Sequence, residues 1–405
     1  MPPANVLHDA MTRFLSNSPW KAIAASLVLV MTGCETVPVP PTNTERPLPK
    51  PPVTHCENIS SRAFPTLGKV ERLDAALDAL IAPDARIEML AGPGTKCALP
   101  DGLTQTLAQG FDWSEGPVWV EYGRFLLFSD VPRNRIYKWS QSDGLSLFLE
   151  PSGYTGKTPR TGEPGSNGLL LDPQGRLVLC QHGDRRMARL GISMRNPKPI
   201  YEPLATTFDG KRFNSPNDAC YSQNGDLYFT DPPYGLERRM DDPAKELRHQ
   251  GVYKLSKSHL AKAGQGAVQL LTAEIAYPNG IALSPDDRTL YVAESGPDTR
   301  IWAFAISEDG ALAGKRVFFD PAPLRKAGIA GGHDGLKVDL HGNLFATGPG
   351  GVLVISPAGK HLGTINTGER IANCAWGNDG CTLYLTSDMY LCRIRTKTKG
   401  KGFEP

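Results

Sequence analysis

The chain has 405 residues, 40% of them apolar and 21% charged, with 44 Lys and Arg against 42 Asp and Glu for a net charge of +2. That apolar content excludes a disordered chain, and the near balance of charge removes the electrostatic footprint of a nucleic-acid binder. With 42 Gly and 35 Pro, a turn-rich β protein with one large core is favoured over a helical one.

The N-terminus reads as a targeting segment. Arg13 and Lys21 precede an apolar run over 22–31, well short of the roughly 20 residues that a membrane-spanning helix needs. The run ends in Met31-Thr32-Gly33-Cys34, which resembles a bacterial lipoprotein signal. The resemblance implies that 1–33 are removed, that Cys34 is lipidated, and, because Glu35 follows, that the protein is anchored on the periplasmic side of the outer membrane. A soluble periplasmic form is the alternative. Residues 34–66 then form a tether, Pro-rich over 37–53 and therefore extended. The next segment, 70–90 (VERLDAALDALIAPDARIEML), carries apolar residues at helical spacing up to Ile81 before Pro83 breaks it. The spacing predicts a short helix packed outside the domain.

From residue 115 onward one unit recurs six times: a strand, a polar turn and a second strand, with apolar residues alternating as antiparallel pairing demands. The copies are 115–130 (EGPVWVEYGRFLLFSD), 167–182 (NGLLLDPQGRLVLCQH), 217–232 (NDACYSQNGDLYFTDP), 279–294 (NGIALSPDDRTLYVAE), 334–349 (DGLKVDLHGNLFATGP) and 373–388 (NCAWGNDGCTLYLTSD). Their starts lie 52, 50, 62, 55 and 39 residues apart (115, 167, 217, 279, 334, 373), about the period of a four-stranded propeller blade with insertions. Third strands are readable near 135–139, 186–190, 251–255, 300–305, 352–355 and 391–395. The last copy has too little chain left for a fourth. Residues 103–108 are positioned to supply it and close the ring. The expectation is an all-β, six-bladed propeller over 67–397, preceded by the short helix and followed by a basic tail over 398–405.

Cysteine spacing fits export without indicating metal or thiol chemistry. Beyond Cys34 there are seven cysteines and none in CxxC spacing. Cys56 with Cys97, and Cys374 with Cys381, are the sequence-level candidates for pairing. The stretch 151–158 (PSGYTGKT) imitates a phosphate loop, but Pro159 blocks the helix that should follow. No GxSxG or HExxH motif is present.

Each repeat opens on an oxygen-bearing side chain: Glu115, Asn167, Asn217, Asn279, Asp334 and Asn373. In a propeller the innermost strands all start on one face of the central channel, so these six residues form a ring, walled by the loops between second and third strands. Asn-Gly and Asp-Gly pairs usually mark tight turns, but those at 167, 279 and 334 precede an apolar strand and have their own turn later. Carboxylates and carboxamides converging on one axis suit a hard cation, calcium better than zinc. In the walls, His182 and His333 compete for the role of base, and Asp231 and Tyr234 of Asp231-Pro-Pro-Tyr line the pocket.

The motifs EGPVW at Glu115, SNGLLLDPQGRLVLCQHGDRRMARL from Ser166, NSPNDACYSQNGDLYFTDPPYGL from Asn214, YPNGIALSPDDRTLYVAES from Tyr277 and HDGLKVDLHGNLFATGPGG from His333 together resemble the gluconolactonase / SMP-30 (regucalcin) family. The resemblance covers about 70–396 and implies a six-bladed propeller, a central divalent cation, commonly calcium, and hydrolysis of a small-molecule lactone. It carries the metal ligands onto Glu115, Asn217, Asn279 and Asp334, and the proton donor or acceptor onto Asp334, and leaves Asn167 in the ring for substrate contact or support of the ligands. The family's substrate-binding arginine has its nearest counterpart in Arg212, which stands five residues before Asn217 rather than two. Phosphotriester hydrolysis on the same site, and a non-catalytic envelope binding module with a structural cation, are the alternatives.

Overall fold

Because each sheet is covered on both faces by its neighbours, its second strand reads as an unbroken apolar run rather than an alternating one: all six residues of Phe125–Asp130 and all five of Leu227–Asp231 are buried. The computed structural model describes residues 63–260 and 267–403; Cys34 and the signal segment lie outside the described residues. Among these, six sheets make the blades of a β-propeller, in innermost-to-outermost order within each blade. Blade one contains Ser114–Val120, Phe125–Asp130, Arg135–Ser140 and Gly144–Leu149. Blade two contains Ser166–Leu171, Leu177–Gln181, Arg186–Leu190 and Tyr201–Ala205. Blade three contains Ala219–Tyr221, Leu227–Asp231, Gly251–Leu255 and Gln269–Thr272. Blade four contains Pro278–Leu283, Thr289–Glu294, Arg300–Ile306 and Leu312–Phe319. Blade five contains Leu336–Val338, Leu344–Gly348, Gly351–Ile355 and His361–Asn366, and blade six Asn373–Gly377, Thr382–Ser387 and Tyr390–Arg395.

Two of the expectations for chain before the first repeat are corrected. The strand that completes blade six is Ile87–Ala91, antiparallel to Tyr390–Arg395, with Ile87 opposite Ile394 and Arg393 Nε donating to Glu88 Oε2 at 2.6 Å. The segment proposed for that role instead forms a hairpin, Thr104–Leu107 with Thr95–Ala98, that adds in parallel to the outer strand of blade one. Its exposed face explains the choice: three of the four residues of Thr104–Leu107 are exposed, whereas Ile87, Leu90 and Ala91 are buried. The expected helix shrinks to a single 3-10 turn, Ala75–Ala79, capped by Asp74 accepting from the Ala76 N–H at 2.9 Å. The residues on either side are drawn into sheets, Lys69–Arg72 as a fifth strand on blade five. Only Leu77, Leu80 and Ile81 of the apolar stripe have a core to enter, so tertiary pairing overrides local helical spacing.

Closure brings blade six against blade one, where Trp119 stacks on Tyr384 at 5.8 Å between ring centroids and both join one core cluster. Each such buried aromatic contributes about 1.5–3 kcal/mol by removal from water. The basic tail docks as well: Thr398 Oγ1 donates to Asp339 Oδ2 at 2.8 Å, Lys401 pairs with Asp287, and Phe403 packs against the core. Neither sequence-level disulfide candidate forms, since Cys97 and Cys374 are free thiols while Cys381 is disulfide-bonded.

The pairs that open the repeats are not turns. Gly168 N donates to Asn217 O at 2.7 Å and Gly280 N to Asp334 O at 3.1 Å, the opening residues of the next blades, and Gly335 N to Ala372 O at 2.8 Å, one residue before the next opening residue. A Cβ on Gly116, which has φ +52°, would lie 2.0 Å from Asn167 O, and one on Gly280 would lie 2.3 Å from Asp334 O. Glycine follows the ring residue because the neighbouring backbone occupies that space.

Candidate active site and cation ring

The ring residues are held by a repeated tie between second strand and incoming loop. Asp130, at the end of its strand, accepts from the Asp112 and Trp113 amides at 3.3 Å. Asp231 accepts from the Asn214 and Ser215 amides at 2.8 Å each, and Glu294 from the Ala276 amide at 3.0 Å. These acids fix the approach of the chain to Glu115, Asn217 and Asn279. Burial pushes the Asp130 carboxyl up to about 6 and that of Asp231 to about 7. Asp231 therefore acts through the loop it ties down, and both its oxygens are occupied by that task.

At the ring itself Glu115, Asn167, Asn217, Asn279, Asp334 and Asn373 are all buried. Glu115 Oε2 accepts from the Gly116 amide at 2.9 Å and from Asn373 Nδ2 at 3.3 Å. The Asp334 amide donates to Thr347 Oγ1 at 3.1 Å, and its carboxylate is bonded by the Asn279 side chain. Burial, then the nearby Asp334 and Asp218 charges, drive the Glu115 carboxyl well above the usual range. Burial raises Asp334 to about 7, against the opposing pull of Arg370 and with Glu163 and Asp218 pushing the same way. Two residues that sequence reasoning passed over complete the charge pattern. Asp218 is buried, and Lys337 Nζ reaches Asn373 Oδ1 at 3.2 Å and Asp218 Oδ2 at 3.7 Å. Three buried carboxylates thus gather here, with Lys337 beside Asp218 and Arg370 beside Asp334.

Unpartnered oxygens accompany that charge. Asn167 Oδ1, Asn217 Oδ1 and Asp218 Oδ2 are buried without a hydrogen-bond partner, a penalty of about 1–3 kcal/mol each if nothing meets them. Asn217 shows how its oxygen is left free: Nδ2 is turned to His182 Nε2 at 3.2 Å. Because that amide donates, His182 carries its proton on Nδ1, 3.5 Å from Glu163 Oε2. His182 stands behind Asn217 and orients it. Among the described residues no three His, Cys, Asp or Glu side chains form a metal-sized group, so a cation here draws on carboxamide oxygens together with Glu115 and Asp334. That donor set is all oxygen, uneven and partly neutral, which suits calcium.

The remaining predicted residues lie elsewhere. His333 is fully buried between blades four and five, with Nδ1 donating to Thr347 O at 2.8 Å and its ring 5.9 Å from Phe319. Burial lowers it to about 4, so it is neutral, and its Nε2 is buried without a hydrogen-bond partner. Arg212 is exposed and donates from Nη2 to Asp184 O at 3.1 Å, tying wall loops together at a distance from the ring. Tyr234 does line a cavity of about 740 Å³ with Arg239, Met240, Tyr277 and Ser295. It stacks on Tyr277 at 6.2 Å, and Asp334 and Glu163 are near enough to reinforce the effect of burial on its hydroxyl. None of the ring residues lines that cavity; Tyr277 stands two positions before Asn279. Some signal for the overlooked residues was present: Asp218 stands where four other copies carry glycine, and Lys337 is the one basic residue in an innermost strand. Glu163 and Arg370 come from loops without regular patterning and had none.

A family model described as the SMP-30/gluconolactonase/LRE-like region matches residues 113–389. The chain belongs to this family. Within it, a gluconolactonase of Zymomonas mobilis subsp. mobilis is 36% identical over 347 residues, covering 83% of this chain and 88% of that protein. The lactonohydrolase oryL of Aspergillus oryzae is 26% identical over 216 residues, about half of each chain (49% and 48%). Among solved structures, a gluconolactonase of Xanthomonas campestris superposes with a TM-score of 0.65 at 29% identity, covering 83% of this chain and 98% of the other. This family member therefore aligns over most of its length with a gluconolactonase of Zymomonas mobilis and one of Xanthomonas campestris.

Proposed function

We propose that this family member is a calcium-dependent lactonase acting on aldonolactones, anchored by lipid at Cys34 on the periplasmic side of the outer membrane. Lactone hydrolysis is supported by the 36% identity to a gluconolactonase across most of both chains. The observation that carries the cation is the ring: the buried Glu115, Asp218 and Asp334, with Lys337 Nζ 3.7 Å from Asp218 and Arg370 Nη2 3.8 Å from Asp334 as the cations beside them, and with the buried Asn167 and Asn217 oxygens unmet. Burying that excess of negative charge without compensation is unfavourable by several kcal/mol or more. Glu115, Asn217, Asn279 and Asp334 would hold the ion.

When bound, calcium supplies a Lewis acid that polarises the lactone carbonyl. The chain's own residues do the rest. Asp334, raised to about 7, accepts the proton of the attacking water and returns it to the ring oxygen as the acyl carbon–oxygen bond breaks. Asn217, turned by His182 and Glu163, keeps its oxygen aimed away from the imidazole. Tyr234 and Tyr277 offer flat faces and hydroxyls to a polyol ring in the cavity they line. A panel of glucono-1,5-lactone, simple γ- and δ-lactones and a phosphotriester tests the reading. Aldonolactones should turn over fastest, with activity lost in chelator and restored by calcium. Preferential phosphotriester turnover, or no turnover by folded, calcium-loaded protein, overturns it.

The location rests on Thr32-Gly33-Cys34 closing the apolar run. Radiolabelled fatty acid is expected in the wild type and absent from Cys34→Ser, which should move to the soluble periplasm. Equal labelling of both would reject lipidation at Cys34.

A further inference from the structure

Arg370 sits in the loop between the outer strand of blade five and the inner strand of blade six. Its guanidinium lies over the Trp113 ring, 5.0 Å from the centroid, and its Nη2 stands 3.8 Å from Asp334 Oδ2. That separation is too long for a hydrogen bond, and among the described residues the guanidinium makes none. The side chain is 57% exposed, so its guanidinium keeps solvent-accessible N–H donors beside Asp334 while it rests on the indole. Trp113 is itself held, its amide donating to Asp130 Oδ1 at 3.3 Å. An arginine braced on a flat ring with its donors open is prepared for a bidentate planar anion.

We infer that Arg370 on Trp113 is an anion subsite for the carboxylate that ring opening creates, a step that rests on the lactonase reading above. In the reaction, water oxygen bonds to the acyl carbon, the acyl carbon–ring oxygen bond breaks, one water proton goes to the released hydroxyl, and the other leaves to the solvent as the acid ionises. A neutral substrate thereby becomes an anion within reach of Arg370. The aldonate takes the guanidinium N–H groups, of which Asp334 approaches only Nη2, at 3.8 Å. Arg370 so holds the product in register with the ring and makes the enzyme sensitive to product inhibition.

Gluconate inhibition of lactone hydrolysis and calorimetric binding of gluconate, both at a fixed excess of calcium, test this. Arg370→Gln should raise the inhibition constant and the dissociation constant for gluconate by about tenfold or more, while the neutral polyol glucitol competes equally with both proteins. Arg370→Lys, which keeps the charge without the fork, should fall between them and guards against misfolding of the first variant. Unchanged gluconate affinity in both variants overturns the subsite even where lactone turnover is normal. Gluconate binding that depends on Arg370 in a protein that hydrolyses no lactone would instead retain the subsite and reject the lactonase reading.

Discussion

Asp334→Asn is expected to lower kcat for glucono-1,5-lactone by a factor of about 10³ while changing calcium affinity by less than about tenfold, the range that loss of a positioned acid–base group produces. The substitution keeps an oxygen for the cation and the amide-to-Thr347 contact of the backbone, but removes the group that moves protons. In the cation-free fold burial raises Asp334 to about 7 while Arg370 restrains the shift; calcium lowers it, leaving the carboxylate free to take the proton of the attacking water. Stopped assays of kcat alongside calorimetric calcium titration separate the two effects. A loss of calcium binding as large as the loss of turnover would make Asp334 chiefly a ligand. Attention would then turn to His182, which Asn217 connects to the ring, rather than to His333, whose ring is enclosed between blades.

Calcium itself should stabilise the propeller strongly and more so at high pH. At a free concentration of 1,000 times Kd, the gain is about 4 kcal/mol, and a domain larger than 150 residues gains about 2–4 °C per kcal/mol, so a rise in Tm of about 10 °C over chelator-treated protein is expected. The pH dependence follows from Glu115 and Asp334, both raised in the cation-free fold. Between the ordinary carboxylate range and about 7, the folded state holds protons that the unfolded chain has released. The stability of cation-free protein from these groups is therefore greatest at low pH and falls as pH rises toward 7. Binding must expel those protons, so the calcium-induced rise in Tm should grow from pH 5.5 to pH 8. Melting curves in matched calcium and chelator buffers check it, and a rise that shrinks with pH would show that the buried carboxylates are not the ligands.

What the amino-acid order determined alone is the repeat. Period-two alternation, turn residues at a constant offset and an oxygen-bearing residue at each start specify six hairpins and place Glu115, Asn167, Asn217, Asn279, Asp334 and Asn373 at equivalent positions, because those features depend only on neighbours a few residues away. The third strands were legible for the same reason. Closure was not: Ile87–Ala91 completes blade six and Thr104–Leu107 does not, a choice decided by which segment finds an apolar groove some 300 residues further along the chain. Helical spacing over 70–81 gave way because Lys69–Arg72 had an unpaired sheet edge within reach. The site followed the same division. Ring positions could be counted from the repeat, but the partner of each could not. His182 lies behind Asn217, His333 between blades, Asp231 under a loop, and Lys337 against Asp218. Those relations join residues that are distant in sequence and are fixed by how far one blade turns and tilts against the next, a quantity that only the closed ring of packed sheets determines.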